Sequence, residues 1–546
     1  MNRLKVGVIL DDWQVEEEMA DFVEWVIQHE RIDLACIVLQ GKPNLDAVAQ
    51  GPVHRSIVWL QRLPFRVLSR LERTFLSRTT GLKFDQTLKI HAENLPIDTR
   101  VIVASPNFTS KPLVARYTLS DVGAIKDTEA DVLIRGSSGI LRGDILDSVK
   151  FGVLSFHHGD NRVYRGLPPG FWEVQHKRPS TGFVIQQLTE ELDGGNVLIR
   201  GSFRTQSYYT RNRISVTKRS QKYLLRLLDD LSSTGELPTP EPSRPFDGSL
   251  VRTPDWTDIF LYVARQVRRV AGRSLRRRGP STWSVRMSQS SWRDLVLWKG
   301  TNIEADSNKW LADPFVVLFG NRRLCFVEEY CDSEGKASIA VYESREGSIV
   351  RLGTAIREPF HVSFPHVFQD SGDWFLCPET CDAKDVRIYK AVDFPLVWEL
   401  HAVLLSDIHA ADSLVLKGED RWFLLTSVLD SIVGDDLSEL TLFCADRLDG
   451  AWSQCSTVPV VCDPNGARNG GLILDGSDFY RVGQCHEFGK YGTSLKIFRI
   501  VNLSCTGYKE ELVAQIKPEF GKSVKGVHHL SSVNGLSAFD FSPALD

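Results

Sequence analysis

Five residues of this chain combine side-chain type and spacing in a way that can do chemistry: His157, Asp160, Tyr164, Arg165 and Asp193. Four of them lie in Ser155-Phe-His157-His158-Gly-Asp160-Asn-Arg-Val-Tyr164-Arg165-Gly166-Leu-Pro-Pro-Gly-Phe-Trp172, and the fifth in Leu192-Asp193-Gly194-Gly195. A histidine whose tautomer is fixed by a carboxylate keeps one ring nitrogen free to take a proton near neutral pH. His157 with Asp193 fits that general-base pairing. On spacing alone, an ordinary loop histidine and a turn aspartate fit equally well.

A pair of this kind has to be presented by something rigid. Phe151 to Leu154 is an apolar run that reads as a buried strand. The glycine- and proline-rich loop behind it is where a sheet edge presents functional groups. Upstream, Lys5 to Leu10 and Leu34 to Leu39 are strand-like, and Val15 to His29 carries Met19, Phe22, Val23 and Val26 at helical spacing. Strand, helix and strand in that order predict a parallel sheet with crossover helices. The sheet is expected to continue through 100–104, 131–134, 151–154 and 183–188. An amphipathic helix over 58–75 and a closing helix over 215–231 complete the domain. The first loop, Asp11-Asp12-Trp13, lacks the glycine fingerprint of a dinucleotide site.

The order and spacing of His157, Tyr164-Arg165-Gly166, Thr181-Gly182 before Phe183-Val-Ile-Gln-Gln-Leu, and Asp193-Gly194-Gly195 resemble the folate-dependent formyltransferases. That family includes methionyl-tRNA, glycinamide ribonucleotide and sugar-nucleotide formyltransferases. The likeness spans residues 95–205 and takes in Asp131-Val-Leu-Ile-Arg135-Gly136-Ser137-Ser-Gly139-Ile140, which looks like the strand and loop that cradle the pteridine. The resemblance implies 10-formyltetrahydrofolate as donor, held by Arg135, Gly136, Ser137, Gly139, Ile140 and Leu192. It implies an amine as acceptor, met by His158, Asp160, Tyr164 and Arg165. The amine attacks the formyl carbon, a tetrahedral oxyanion forms, and His157 takes the amine proton. Asp193 orients the imidazole and assists transfer to the leaving folate nitrogen. Ser155 stands where the family has an asparagine that helps hold the oxyanion. Loss of one such donor typically costs about 100- to 1000-fold in rate. A slower transferase, a site rearranged around His158 or Asp160, or a fold kept for another task would each follow.

At 546 residues the chain is too long for a single core. A net charge of −4 gives no pull toward nucleic acid, and no nucleic-acid partner is expected. No apolar stretch reaches the roughly 20 residues of a membrane span. The amino terminus reads as a first strand and not as a signal peptide, because its apolar run ends in acid. Nine of the ten cysteines lie beyond residue 300, and Cys377-Pro-Glu-Thr-Cys381 is the only close pair. No zinc pattern is completed, no metal is expected, and small buried hydrophobe is the better description of these cysteines. A reducing, cytoplasmic setting fits.

Residues 236–255 hold Pro238, Pro240, Pro242, Pro245 and Pro254, which marks a linker. Residues 259–278 carry Arg265, Arg268, Arg269, Arg273, Arg276, Arg277 and Arg278. Such a segment could lie on an anionic membrane surface as a basic amphipathic helix. With few bulky apolar anchors, packing against protein is the better fit.

From Trp298 the pattern becomes all-β and weakly repetitive, with Asp313, His366, Asp412, Asn469 and His528 as equivalents at intervals of 46 to 59 residues. That period suits four-stranded blades, and five units predict a five-bladed propeller. Asp313, Glu379, Asp412, Arg468, Glu487 and His528 are expected to converge on its channel. Ala312-Asp313-Pro-Phe, Pro378-Glu379-Thr380, Asp393-Phe-Pro-Leu-Val-Trp398, Tyr480-Arg481-Val-Gly-Gln484 and Lys490-Tyr491-Gly492 resemble the propellers of furanosidase-type glycosidases. They resemble more closely the propeller-like domain of plant glucosamine inositolphosphorylceramide transferases. The expected architecture is a Rossmann-like α/β formyltransferase domain over 1–235, a linker and basic helix over 236–297, and the propeller over 298–546.

These resemblances point to an amino-sugar acceptor, nucleotide-linked or on a glycan precursor. Initiator tRNA is disfavoured, because a propeller stands where methionyl-tRNA formyltransferases carry a basic barrel-like domain. The alternative is a carbohydrate-binding, glycosidase-like or glycosyltransferase-like propeller with a degenerate formyltransferase module. Inverting hydrolysis would need two carboxyls about 6.5 to 9.5 Å apart, for which Asp313 with Glu379 or Asp412 are the candidates. Glycan binding ranks ahead of hydrolysis, since the third unit reads Ala-Asp-Ser and the fourth shows no acid motif.

Overall fold

The computed structural model describes residues 3–42, 52–82, 84, 87–109, 113–242, 246, 248, 250–275, 282–346, 348–519 and 524–542. The chain forms two compact units, Met1–Leu275 and Arg276–Asp546. It is multidomain and mostly β, with a parallel-sheet amino-terminal unit.

The first unit is built on a seven-stranded sheet in the order Asn196–Arg204, Ser180–Gln187, Val153–His157, Val132–Arg135, Leu4–Leu10, Ile32–Leu39, Arg100–Val103. The five strands from Val153–His157 to Arg100–Val103 run parallel. Leu-Lys-Val-Gly-Val-Ile-Leu is almost wholly buried, as a parallel strand covered on both faces must be. The remaining two strands join by antiparallel pairing, a departure from the all-parallel expectation. The turn 188–195 is too short for a crossover and closes a hairpin instead, and Asp193 sits in it.

Helix Glu17–Gln28 buries Phe22, Val23 and Val26. Helix Tyr209–Thr234 buries Ile214, Tyr223, Leu224, Leu227, Leu228 and Leu231, and ends on Gly235 in the left-handed conformation. The helix expected over 58–75 runs from Pro52 to Thr80. The basic helix is Trp256–Leu275, and Arg276, Arg277 and Arg278 lie outside the described residues, as does Pro245. This helix packs within the first unit: Tyr262 is buried, its hydroxyl donates to Glu72 and accepts from the Tyr209 N–H.

The second unit consists of sheets paired antiparallel throughout except between Asn469–Asp475 and Leu530–Val533, which pair parallel. Three of them begin at Lys309–Phe319, Ser363–Asp370 and Ala410–Lys417. An eight-stranded sheet joins the strands from Asn469 to Ile516 with Leu530–Val533, Leu536–Phe541, Ser284–Ser288 and Thr301–Asn302. Lys309–Phe319 neighbours Ser363–Asp370, which neighbours Ala410–Lys417, then Asn469–Asp475, then Leu530–Val533, which returns to Lys309–Phe319. The unit takes in Ser284–Ser288, inside the stretch expected as linker: Val285 and Met287 alternate inward and are buried.

Four of these first strands carry the same irregularity. Pairing skips two residues between Ala312 and Phe315, Ser363 and His366, Ala411 and Leu414, and Asn469 and Leu472. Asp313 (φ 49°), Phe364 (φ 46°) and Asp412 (φ 50°) take the left-handed conformation at the first skipped residue, whereas in the fourth strand the positive φ falls on the second, Gly471 (φ 117°). Phe364, two residues before the expected His366, is therefore the equivalent of Asp313 and Asp412, and Gly470 replaces Asn469. His528-His529 before Leu530 keeps the same offset. A phenylalanine at positive φ costs on the order of 1–3 kcal/mol. Its ring is fully buried against Phe315 and His529, which holds it there.

Candidate functional site

The parallel sheet brings His157 to the carboxyl end of its strand, opposite Val184 of the neighbouring hairpin. The same hairpin's turn brings in Asp193, held at φ 50°. His157 Nδ1 lies 3.5 Å from Asp193 Oδ1, and Nε2 lies 2.9 Å from the Tyr164 carbonyl oxygen. A carbonyl only accepts, so Nε2 carries a proton and the lone pair of the neutral ring is on Nδ1. The tautomer is thus set by Tyr164 and not, as expected, by Asp193. The open nitrogen faces the carboxylate across a gap longer than a made hydrogen bond.

Asp193 Oδ2 accepts from the Gly166 N–H at 3.2 Å, and its carbonyl accepts from Asn161 Nδ2 at 3.0 Å. Burial opposes its charge, but His157, the Gly166 N–H and Arg135 outweigh it and hold the carboxyl below the usual range. Gly166 must be glycine: at φ 109°, a Cβ would meet the Val251 carbonyl oxygen at 2.4 Å.

Arg135 ends the strand beside His157. Its Nη1 is 3.5 Å from Ser155 Oγ, and its Nη2 donates to the Gly139 carbonyl. Burial lowers the pKa of this guanidinium, opposed by Asp193 and Asp11. Ser155 spends its own hydroxyl proton on the Phe156 carbonyl, 3.2 Å away. The loop from Gly136 to Ile140 is anchored through Ser138, whose N–H and hydroxyl both donate to Asp11. A Cβ at Gly136 would lie 2.7 Å from Met19 Cε, so the flexible end of that side chain would have to shift. Arg135 Nε and Ser137 Oγ are buried with no hydrogen-bond partner among the described residues.

The residues expected to meet the acceptor are mostly engaged elsewhere. Asp160 pairs with Arg162 and Arg200, each at 2.8 Å. Burial works against its charge, yet these partners hold its carboxyl below the usual range. Arg165 turns inward, donating to Glu191 at 2.6 Å, to the Leu192 carbonyl at 3.2 Å and to the Asn161 carbonyl at 2.9 Å. It is a fastener of the Asp193 turn. The Tyr164 hydroxyl is 2.6 Å from His176 Nδ1. His158 stacks on Phe156 at 5.1 Å, and burial pushes its pKa down to about 3, so the ring is neutral. Its Nε2 is buried and unpartnered among the described residues.

Glu173 escaped the sequence reading. It lies in the short helix Phe171–Gln175, 4% exposed, and burial pushes its carboxyl up to about 7. A glutamate inside the apolar run Phe-Trp-Glu-Val was the available signal.

In the second unit the expected channel residues form two groups. Arg468 Nε bonds Asp412, its Nη1 is 2.6 Å from Asp436 Oδ2, and its Nη2 is 3.6 Å from Glu379 Oε2. Gln484 Nε2 also donates to Asp412, at 3.0 Å, and Glu379 accepts from the Asp412 N–H at 3.0 Å. Burial and Asp412 push the Glu379 carboxyl well above its ordinary range. In the other group, His528 lies between Asp540 (2.7 Å) and Asp313 (3.4 Å). Burial opposes the His528 charge, but both carboxylates raise its pKa; Asp313 itself is pushed up to about 7, mainly by burial. Glu328, beside Asp313 and Glu379, is pushed well above its ordinary range by burial and these neighbours. Glu487 is exposed, pairs with Lys490 at 2.7 Å and joins neither group. Asp540, Glu328 and Asp436 were not anticipated. Phe539-Asp540-Phe541, a charge in the middle of an apolar strand, was legible for the first of them.

The chain is similar to transferases of two kinds. The family described as glucosamine inositolphosphorylceramide transferase 1, N-terminal, matches residues 296–537. The glucosamine inositolphosphorylceramide transferase 1 of Oryza sativa subsp. japonica is 32% identical over 209 residues, 37% of this chain. The matched part is 28% of that relative, so the chain spans little more than a quarter of its length. The methionyl-tRNA formyltransferase of Borrelia garinii subsp. bavariensis is 30% identical over 125 residues, 22% of this chain and 39% of that one. Among solved structures, the catalytic domain of Coprinopsis cinerea GH62 alpha-L-arabinofuranosidase aligns with 48% of this chain and 98% of its own, at 13% identity and a TM-score of 0.33. No helix among the described residues is long and apolar enough to cross a membrane.

Proposed function

We propose that the first unit moves a formyl group from 10-formyltetrahydrofolate to the amine of an amino sugar, nucleotide-linked or on a glycan precursor. The second unit, in this reading, is a five-bladed propeller that recognises the glycan. The observation that carries the proposal is the His157–Asp193 pair at the carboxyl end of strand Val153–His157, with no hydrogen bond made at Nδ1. The orphaned Ser137 Oγ and Arg135 Nε fit a polar heterocycle, and Arg135, Gly136, Ser137, Gly139, Ile140 and Leu192 would hold it. The donor, when bound, supplies the activated formyl group. His157 Nδ1 accepts the amine proton, and Asp193 stabilises the imidazolium so formed. Arg135 answers the loss of the asparagine at Ser155: its Nη1 offers a charged donor where the serine offers a weak one. The amino-sugar acceptor is supported by the relative's name, which specifies glucosamine.

Calorimetric titration of the full chain with 5-formyltetrahydrofolate tests this. Micromolar binding, at least tenfold weaker in Arg135→Ala, supports the transferase. Absence of binding at millimolar ligand overturns it. That outcome would favour the second reading, a glycan-handling propeller on a degenerate module, for which the buried Asp313–His528–Asp540 group speaks.

A peripheral contact with anionic lipid is part of the same reading. Trp256, Phe260, Val263, Val267 and Val270 form an exposed stripe along helix Trp256–Leu275, and Arg268 is exposed beside it. Flotation with anionic vesicles should exceed that with neutral ones and fall in Trp256→Ala. Equal recovery from both vesicle types would remove this contact.

A further inference from the structure

Three cysteines that share no sequence motif meet in the second unit. Cys444 lies on strand Glu439–Ala445, Cys455 follows Ser453–Gln454, and Cys505 is in the turn between Lys490–Ser504 and Gly507–Ile516. Their Sγ atoms all lie within 4.8 Å of one another, and those of Cys444 and Cys505 are 2.8 Å apart. Cys444 is buried; the other two are partly exposed, so the group can be reached from solvent. Arg421 Nη1 lies 3.5 Å from Cys505 Sγ. Small buried hydrophobes pack against carbon. Here three sulfurs face one another and a guanidinium.

We propose that Cys444, Cys455 and Cys505 form a binding site for a soft, thiophilic d10 cation of the Zn2+ class. Thiolates on one tetrahedral ion, with metal–sulfur bonds of about 2.3 Å, stand roughly 3.8 Å apart, inside the observed mutual range. Cys444 and Cys505 must therefore open by about 1 Å, and the two-residue turn carrying Cys505 is where that movement is easiest. Binding releases the thiol protons, so affinity rises with pH. A dication with three thiolates is a centre of charge −1, which Arg421 offsets. The fourth position is left to water or an exchangeable ligand. The ion would tie the sheet of Ala410–Lys417 to that of Asn469–Asp475, whose side chains share one core with Cys444. A Cys444–Cys505 disulfide is the competing outcome; it would use two sulfurs and leave Cys455 without a role.

The test is titration of the reduced, metal-free full chain with Cd2+ as a spectroscopic stand-in. One equivalent should bring up the ultraviolet thiolate-to-cadmium band. Cys455→Ser and Cys505→Ser, both at partly exposed positions, should each weaken binding at least 100-fold. Zn2+ should compete for the same equivalent. Absence of the band, or a band unchanged in both variants, overturns the proposal. A Cys444–Cys505 cross-linked peptide from protein prepared without reductant, together with no band after reduction, would do the same in favour of a disulfide.

Discussion

The two units treat buried charge in opposite ways. Around His157 the polar atoms are left open: Nδ1 faces a gap, and Arg135 Nε, Ser137 Oγ and His158 Nε2 have no partner among the described residues. Around Arg468 the carboxylates are answered within the protein, one guanidinium bonding Asp412 and Asp436 while Glu379 accepts from the Asp412 N–H. The first arrangement carries an unmet cost that a ligand can relieve. The second is already satisfied and acts as a clasp. The Asp313 group of the second unit departs from this: Asp313 Oδ1 has only His528, at 3.4 Å, and both ring nitrogens of the neighbouring His529 are buried without a hydrogen-bond partner among the described residues.

Substitutions can break this contrast. His157→Ala or Asp193→Asn should lower formyl transfer by about 10²- to 10⁴-fold while leaving the melting of the second unit unchanged. Steady-state rates and a two-transition thermal melt measure both; a rate within a factor of a few of the parent would end the assignment of His157.

Arg468→Ala should do the reverse. It strands buried carboxylates and should cost the second unit about 3–5 kcal/mol in urea unfolding, with folate affinity unaffected. Loss of less than about 1 kcal/mol would mean that the network is dispensable.

Glu173 sharpens the comparison from inside the first unit. Its folded pKa of about 7 lies above the ordinary 4.5, so the folded state holds the proton more tightly. Its contribution is complete below pH 4.5 and is lost as pH rises through 7, about 3 kcal/mol in all. Glu173→Gln should flatten that decline. Denaturation at pH 4.5 and 7.5 measures it; parallel curves for parent and variant would show that Glu173 is not the group responsible.

Much of the first unit was legible because its signals are local. Apolar runs such as Leu4–Leu10 and the helical spacing of Phe22, Val23 and Val26 follow from burial on one or both faces of an element. The pairing of His157 with Asp193 was legible through motif order. The engagement of Arg165 with Glu191 was not, because a long side chain's direction depends on the turn it meets. In the second unit the repeat was visible but its register was displaced. His366 drew the eye as a polar residue, whereas the equivalent position is held by Phe364, recognised only from backbone pairing.

Residue types and their order were enough to divide the chain into an α/β part and an all-strand part, and to single out His157, Asp193 and, in the second half, Asp313, Glu379 and Asp412. Folding alone decided which nitrogen of His157 meets the Tyr164 carbonyl, that Arg135 reaches Ser155, and that the sulfurs of Cys444, Cys455 and Cys505 come together. The reason is physical: local pattern reports which face of an element is buried. Protonation, ion pairing and ligand geometry depend on distances between segments that the linear chain leaves far apart.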